Sequence, residues 1–124
     1  MNTQSKTYLY NIIKSNKDTR KDTTINQYVR SIIKITDNLN LTDIKSLEFL
    51  QDTKSIDKFI NTIQTISTKR NLYTALLSLI KVNEEDKLYL HYKLKETGLK
   101  IIYYYHLSTI MDTETKYLIY KQLH

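Results

Sequence analysis

The near absence of glycine and proline constrains this chain more than any other feature of its sequence. The 124 residues contain one glycine, Gly98, and no proline. Tight turns and β-hairpins depend on these two residue types, whereas helices do not need them. Apolar residues, chiefly Leu and Ile, recur at spacings of three and four, which is the helical period. The sequence therefore predicts an all-α fold, a compact bundle of five to six short helices.

A chain of 124 residues is long enough to form one domain that buries about two thirds of its unfolded surface. We therefore treat residues 1–124 as a single helical domain. No apolar run approaches the roughly 20 residues that a helix needs to cross a bilayer. Since a signal peptide is also missing, the sequence predicts a soluble, intracellular protein that is neither secreted nor bound to a membrane.

Metal and cofactor sites are not expected. The chain has no cysteine, so it offers neither a disulfide nor a thiolate ligand. Its three histidines, His91, His106 and His124, have no partner four residues away and no carboxylates at ligand spacing. A phosphate-binding glycine loop is excluded because Gly98 is the only glycine.

Residues 67–81 form the segment around which we expect the other helices to pack. Its apolar residues recur at helical spacing and predict one buried face: Leu72, Ala75, Leu76, Leu79 and Ile80. Ser67 or Thr68 is the expected N-cap. The residues predicted to project outward include no acid: Lys69, Arg70, Asn71, Thr74, Ser78 and Lys81. Such a face suits a phosphate backbone, although an ordinary solvated helix face has the same composition.

Three further helices are predicted before this segment. The first lies within residues 1–22, with Tyr8, Leu9, Ile12 and Ile13 inward, and a charged connector follows that is either a solvated linker or a basic arm on DNA. The second runs from Thr23 or Thr24 to about Asn38. Its predicted inward residues are Ile25, Tyr28, Val29, Ile32 and Ile35, and its outward stripe is Gln27, Arg30, Ser31 and Lys34. After a connection with a short helix, a third begins at the cap Ser55 and ends near Ser67.

The C-terminal third carries the remaining helices. Asn83 should cap a helix that ends at Gly98, because glycine commonly follows the last helical turn. Helical spacing resumes at Leu99 and predicts another helix with Leu99, Ile102, Tyr103, Leu107 and Ile110 inward. Asp112 is the expected cap of a last helix. Residues 99–124 thus form C-terminal helices whose role the sequence leaves open.

Positive charge is concentrated in two parts of the chain. The formal net charge is +6. Residues 1–36 carry seven basic and two acidic side chains, and residues 67–83 carry three basic and none acidic. Residues 37–66 carry an acidic excess, and residues 84–124 are balanced. Concentration on two helices is the pattern expected of a groove that neutralises phosphates.

Several segments share a spacing of apolar and small residues with a known family. The segments are residues 24–32 (TINQYVRSI), 47–50 (LEFL), 56–60 (IDKFI), 67–76 (STKRNLYTAL) and 88–94 (LYLHYKL). Together they resemble the core-binding domain of tyrosine recombinases and phage-type integrases, in the form found in large DNA viruses of protists. The resemblance covers residues 23–95.

The resemblance implies one half of a clamp on duplex DNA, with two helices of the bundle laid against the major groove and backbone. These are the helices whose outer faces are basic. The DNA-facing residues that it implies are Gln27, Arg30, Ser31, Lys34, Lys69, Arg70, Asn71, Thr74 and Lys81.

Catalysis is not expected. Recombinase chemistry uses arginines, a lysine and a His-x-x-Arg motif to stabilise the transition state, with a tyrosine nucleophile, in a second domain. Arg70 is the last arginine, so none of the eight tyrosines from Tyr73 onward has the arginine clamp that a nucleophile needs.

Two functional classes remain open on the sequence. The first is a non-catalytic module that binds duplex DNA. The second is a helical structural or protein-interaction module, for example a viral binder of a host factor, without DNA binding. In either class an aromatic surplus predicts a homodimer or protein contact through Tyr104, Tyr105 and Tyr120.

Overall fold

Five α-helices and one 3₁₀ turn form the part of the chain that the computed structural model describes, residues 1–108 and 121–122. The elements are α1 (Thr3–Asn16), α2 (Asp22–Asn38), the 3₁₀ turn (Glu48–Gln51), α3 (Thr53–Asn61), α4 (Ile66–Ser78) and α5 (Lys87–Ser108). The described residues include no strand. The predicted all-α class is therefore confirmed, whereas the helix predicted after Asp112 and the side chain of Tyr120 lie outside the described residues.

Helix α4 is the centre of the bundle, because α5 and α2 both pack against it and α3 touches it as well. Its buried residues occupy most of its circumference: Leu72, Tyr73, Ala75, Leu76 and Ser78. Only Ser67 and Asn71 are fully exposed within it. The central position predicted for this segment is confirmed, but Ser78 is buried, contrary to the prediction that it projects outward. The polar face of α4 is narrow because neighbouring helices cover two of its sides.

Helix α1 is attached to the connector after α2 by polar contacts at its first turn. Asn2 caps the helix by accepting the Ser5 N–H at 2.8 Å. The buried Ser5 hydroxyl donates to Asp43 Oδ1 at 3.1 Å and accepts the Ile44 N–H at 2.8 Å. The Asn2 amide also donates to Asp43 Oδ1 at 3.3 Å, and this bond, followed by the one from Ser5, lowers the pKa of Asp43 below its ordinary value. The predicted inward residues Leu9 and Ile13 complete the attachment by lying in the core.

Arg20 stabilises the link between α1 and α2. Its guanidinium donates to the Ile13 carbonyl at 3.0 Å and lies 5.7 Å from the centre of the Tyr28 ring. Lys14 in turn donates to the Arg20 carbonyl at 3.2 Å. The Ile13 carbonyl, which also accepts the Lys17 N–H at 3.4 Å, gains a second donor, and the same side chain contacts the π face of Tyr28 on α2. Arg20 therefore has an intramolecular role, which favours the linker interpretation of this segment over a basic arm.

Two predicted helix starts are displaced by a few residues. Asp52, one turn earlier than the predicted cap, accepts the Ser55 N–H and caps α3, which ends at Asn61 rather than near Ser67. Thr65 occupies the N-cap of α4 without a side-chain hydrogen bond, so neither Ser67 nor Thr68 is the cap. Several residue types can cap a helix, so the sequence alone does not show which of several neighbouring candidates is the N-cap.

Helix α5 is continuous through Gly98, so the predicted stop there is wrong. It begins one turn after Asn83, with the Asp86 carboxylate accepting the Leu88 N–H at 2.9 Å. Glycine in a helix interior costs only about 1 kcal/mol relative to alanine. The packing of α5 on α4 outweighs that cost.

The C-terminal turns of α5 extend beyond Ile66, the N-terminal end of α4. Arg70 pairs with Glu96 and the Tyr73 ring lies 6.2 Å from that of Tyr92, which defines an antiparallel register. This register places Ile66, the first residue of α4, close to Lys100. Ile102 was expected to face the core but is half exposed, because it lies beyond that point.

Truncation of Leu76 tests the central position of α4. Leu76→Ala removes a fully buried side chain and should lower the free energy of unfolding by about 2 to 5 kcal/mol through loss of burial and a residual cavity. The exposed Val82 provides the control, since Val82→Ala should change it by less than about 0.5 kcal/mol. Urea unfolding followed by circular dichroism measures both. Equal stability of the two variants would contradict the proposed packing.

Candidate nucleic-acid interface

The outer face of α2 carries the first group of predicted DNA-facing residues. Gln27, Arg30 and Lys34 are exposed, and Ser31 is half buried. Within the described part of the chain, the side chains of Arg30 and Lys34 make no hydrogen bond or ion pair. Because these residues recur at spacings of three and four, they form one stripe on the helix. The stripe is open to a ligand along its length.

Two of the five residues of the second predicted group, Arg70 and Thr74 on α4, are engaged within the protein. Arg70 Nε donates to Glu96 Oε1 at 3.1 Å, and the Arg70 side chain is only 29% exposed. The Thr74 hydroxyl is half buried and donates to the Arg70 carbonyl at 2.9 Å. The expectation that Arg70 and Thr74 project away from the body is therefore wrong, because α5 packs along this side of α4.

The remaining members of the second group differ in position. Lys69 is half buried and Asn71 is exposed on α4. Lys81 is exposed but lies after Ser78, where α4 ends, so it belongs to the loop before α5. No described hydrogen bond or ion pair joins a residue of this group to one on the α2 stripe. Their roles in DNA contact stay predictions.

Glu96 is the partner that Arg70 requires. Its side chain is buried on the inner face of α5, together with Tyr89 and Tyr92. Lys93, one turn earlier, approaches its other oxygen at 3.5 Å. A buried carboxylate is stable only when it is paired and hydrogen-bonded. Arg70 therefore stabilises the α4–α5 contact.

A second polar cluster joins α3, α4 and α5 around Asp57. One carboxylate oxygen accepts the Tyr73 hydroxyl at 2.6 Å, and the other lies 2.8 Å from His91 Nε2. Lys95 Nζ approaches at 4.0 Å. The adjacent Tyr92 hydroxyl donates to the Leu50 carbonyl at 2.5 Å, which fixes α5 to the 3₁₀ turn. Asp57 on α3 thus contacts Tyr73 on α4 and His91 on α5, so the cluster connects three helices.

Burial and hydrogen bonding change the acidity of the two tyrosines in this cluster. Burial, followed by the hydrogen bond to Asp57, raises the pKa of Tyr73 far above its ordinary value. Burial likewise raises the pKa of Tyr92. A tyrosine that holds its proton so tightly is a poor nucleophile near neutral pH. The open groove of about 890 Å³ near Asn40, Phe49 and Phe59 is lined by none of these residues.

Metal and membrane chemistry find no support in the described residues. Among residues 1–108 and 121–122, no group of three or more histidine or acidic side chains could hold a metal ion. In the same part of the chain, no helix is long and apolar enough to cross a membrane.

Glu96 and Asp57 were not identified from the sequence, although one of them left a signal. Glu96 follows Tyr89 and Tyr92 at spacings of seven and four, so it stands in the buried stripe of α5. A single acidic residue among the buried positions of a helix predicts a basic side chain on the helix that packs against it. For Asp57 the sequence offers no comparable signal, since the residue is preceded by Ile56 and followed by Lys58 like many surface acids.

Comparison of the chain with protein-family models, with curated proteins and with solved structures finds no match. The resemblance to the recombinase core-binding domain stays a prediction from the sequence.

Removal of Arg70 should destabilise the protein. Arg70→Ala leaves the buried Glu96 without its main partner and should lower the free energy of unfolding by about 1 to 3 kcal/mol. Lys69→Ala, a neighbouring change of equal charge, should leave it within about 0.5 kcal/mol. Chemical denaturation of the two variants separates the loss of the Arg70–Glu96 ion pair from the loss of one positive charge. If Arg70→Ala is as stable as the wild type, the ion pair does not stabilise the fold.

Alkaline pH should destabilise the protein through Tyr73. Its pKa in the folded state is raised above the ordinary value of 10.0. Below that value both states hold the proton; above it only the unfolded state releases it, so the free energy of unfolding falls as the pH rises. Tyr73→Phe should flatten this fall above about pH 10, while lowering stability at neutral pH because Asp57 loses a donor. Urea titrations at several alkaline pH values give the slope of the unfolding free energy against pH for the wild type and for Tyr73→Phe. Identical slopes would contradict this account.

Proposed function

We propose that the protein binds duplex DNA through the outer face of α2, as a non-catalytic module. The observation that carries the proposal is the exposure of Arg30 and Lys34 on one stripe with no acidic partner among the described residues. Cations held in this way remain available to phosphates, whereas Arg70 is paired with Glu96. The resemblance to a recombinase core-binding domain supports the same helix as a DNA-facing element.

The stripe combines two kinds of contact that a DNA-binding helix needs. Arg30 can donate two hydrogen bonds to the edge of a guanine, and Gln27 can pair in the same manner with an adenine. Lys34, one turn after Arg30, suits a phosphate as a point charge. An α-helix fits the width of the major groove. We therefore infer a modest sequence preference determined chiefly by Arg30.

Lys69, Asn71 and Lys81 have a secondary place in this proposal. Asn71 and Lys81 are exposed and Lys69 is half buried, so each can add a backbone contact beside the α2 stripe. Lysines contribute affinity by releasing counterions but carry no sequence information. Most of the specificity should therefore be lost when the α2 stripe is removed, and little when these residues are changed.

A salt titration tests the proposal directly. With about three to four phosphate contacts, the logarithm of the affinity should fall with the logarithm of the salt concentration with a slope of about −3 to −4. Fluorescence anisotropy of a labelled duplex at several salt concentrations gives this slope. Absence of binding at low salt, or binding that salt leaves unchanged, would overturn the proposal.

The double substitution Arg30→Ala with Lys34→Ala should weaken duplex binding by about 1 to 3 kcal/mol. The matched control is Lys54→Ala with Lys58→Ala, which removes the same charge from two exposed positions four residues apart on α3. The control should bind nearly as well as the wild type. Equal losses in both variants would mean that net charge alone determines the binding and that α2 has no special role.

A further inference from the structure

Helix α5 presents an apolar stripe on the side that faces away from the core. The exposed members are Leu90, Leu94 and Ile101, with exposed fractions of 37%, 71% and 43%. Spacings of four and seven place them on one face of the helix. The buried residues Tyr89, Tyr92 and Glu96 lie on the opposite face. Leu94 in particular is mostly exposed and contributes little to the packing of α5 against the rest of the described residues.

The spacing of this stripe fits a single helix as its partner. Leu90, Leu94 and Ile101 belong to a series with alternating steps of four and three that also includes the half-buried Thr97 and Tyr104. Such a series forms the seam along which two helices pair. The stripe is narrow over its first two turns, which suits contact with a helix, and it widens at its C-terminal end, where Ile102 and Tyr105 are exposed beside Ile101.

Gly98 beside the seam supports a close approach from outside. A Cβ atom added at this position would meet nothing within 4 Å, so the protein's own packing does not require glycine there. Glycine also lowers the stability of a helix interior relative to alanine. A small residue at this point leaves room for a second helix to approach the backbone.

The charges along the stripe decide which kind of helix fits. Lys93 and Lys100 lie on one side of it, and Lys87 and Lys95 on the other. The single acid of α5, Glu96, is buried. A second copy of the same face would bring lysines against lysines, which is unfavourable at positions that flank a helical seam. Lys93 and Lys95 already approach Glu96 and Asp57, whereas Lys87 and Lys100 have no carboxylate partner among the described residues. A helix with acidic flanks would pair with these two lysines, one on each side of the stripe.

We propose that the outer face of α5 is the docking site for an acidic amphipathic helix of another protein. Leucine or isoleucine residues of that helix pack against Leu90, Leu94 and Ile101, and its flanking glutamates pair with the lysines. This partner replaces the homodimer predicted from the aromatic surplus. The site is separate from the α2 stripe, so loss of DNA binding in an α2 variant leaves it intact.

The test uses a designed peptide as the probe. A three-heptad helical peptide with leucine at the two seam positions and glutamate at the flanking positions should bind the full chain, as measured by isothermal titration calorimetry. A peptide with lysine in place of every glutamate is the matched control and should bind at least about tenfold more weakly. Equal binding of both peptides, or no binding of the acidic one, overturns the proposal.

Variants of the protein locate the binding on α5. Leu94→Ala should weaken acidic-peptide binding at least about tenfold, since it removes the most exposed apolar side chain of the seam. Val82→Ala, an equally exposed apolar change in the preceding loop, should leave binding unchanged. Lys87→Glu with Lys100→Glu, which spares the ion pairs of Lys93 and Lys95, should reverse the preference between the two peptides. Binding that survives Leu94→Ala, or a preference that does not reverse, counts against the site.

Two further measurements address other occupants. Analytical ultracentrifugation at micromolar concentration should give a monomer; a dimer abolished by Leu94→Ala would assign the face to a second copy instead. Flotation with phosphatidylserine-containing vesicles should leave the protein unbound; retention that requires Leu94 would assign the face to a lipid surface.

Discussion

The burial of α4 between α2 and α5 is the constraint on which the rest of the structure depends. The buried residues of α4 occupy most of its circumference, and no single neighbour could cover them. Burial of the Leu72, Leu76 and Leu79 side chains contributes about 1.5 to 3 kcal/mol each relative to exposure. A helix of this kind cannot lie on the surface of the protein, so its neighbours are placed around it. The order of the helices in space follows from that requirement.

Covering α4 also determines what becomes of its polar residues. A polar side chain on a covered side needs an intramolecular partner, because its hydrogen bonds to water are lost. Arg70 finds Glu96 and Tyr73 finds Asp57, so both serve the contacts between helices. Helix α2 keeps an exposed outer face, on which Arg30 and Lys34 have no hydrogen-bond or ion-pair partner among the described residues. The candidate interface is thus located by packing rather than by charge alone.

Local signals predicted the helices well, and partners distant in sequence accounted for the errors. The period of apolar residues was sufficient for α1 and α2, including the inward Leu9, Ile13 and Ile32. It was not sufficient for Arg70, whose environment depends on a carboxylate 26 residues later. The helix end predicted at Gly98 was wrong for a similar reason, because a glycine ends a helix only where tertiary packing does not stabilise the helix beyond it. The DNA-facing role of the nine predicted residues stays a prediction, and the structure gives their positions in the fold.

The polar contacts of α1 bear on the order in which the chain folds. Two of its bonds join residues separated by 38 to 62 positions, from Ser5 to Asp43 and from Asn16 to the Ser78 carbonyl, whereas α1 meets α2 across the short connector of residues 17–21. Closing the long loops costs more chain entropy than pairing α4 with α5, or α1 with α2, across a short one. We therefore expect both local helix pairs to form early and the long-range bonds of α1 to form last. In the native state these long-range bonds should then be the first of its contacts to open.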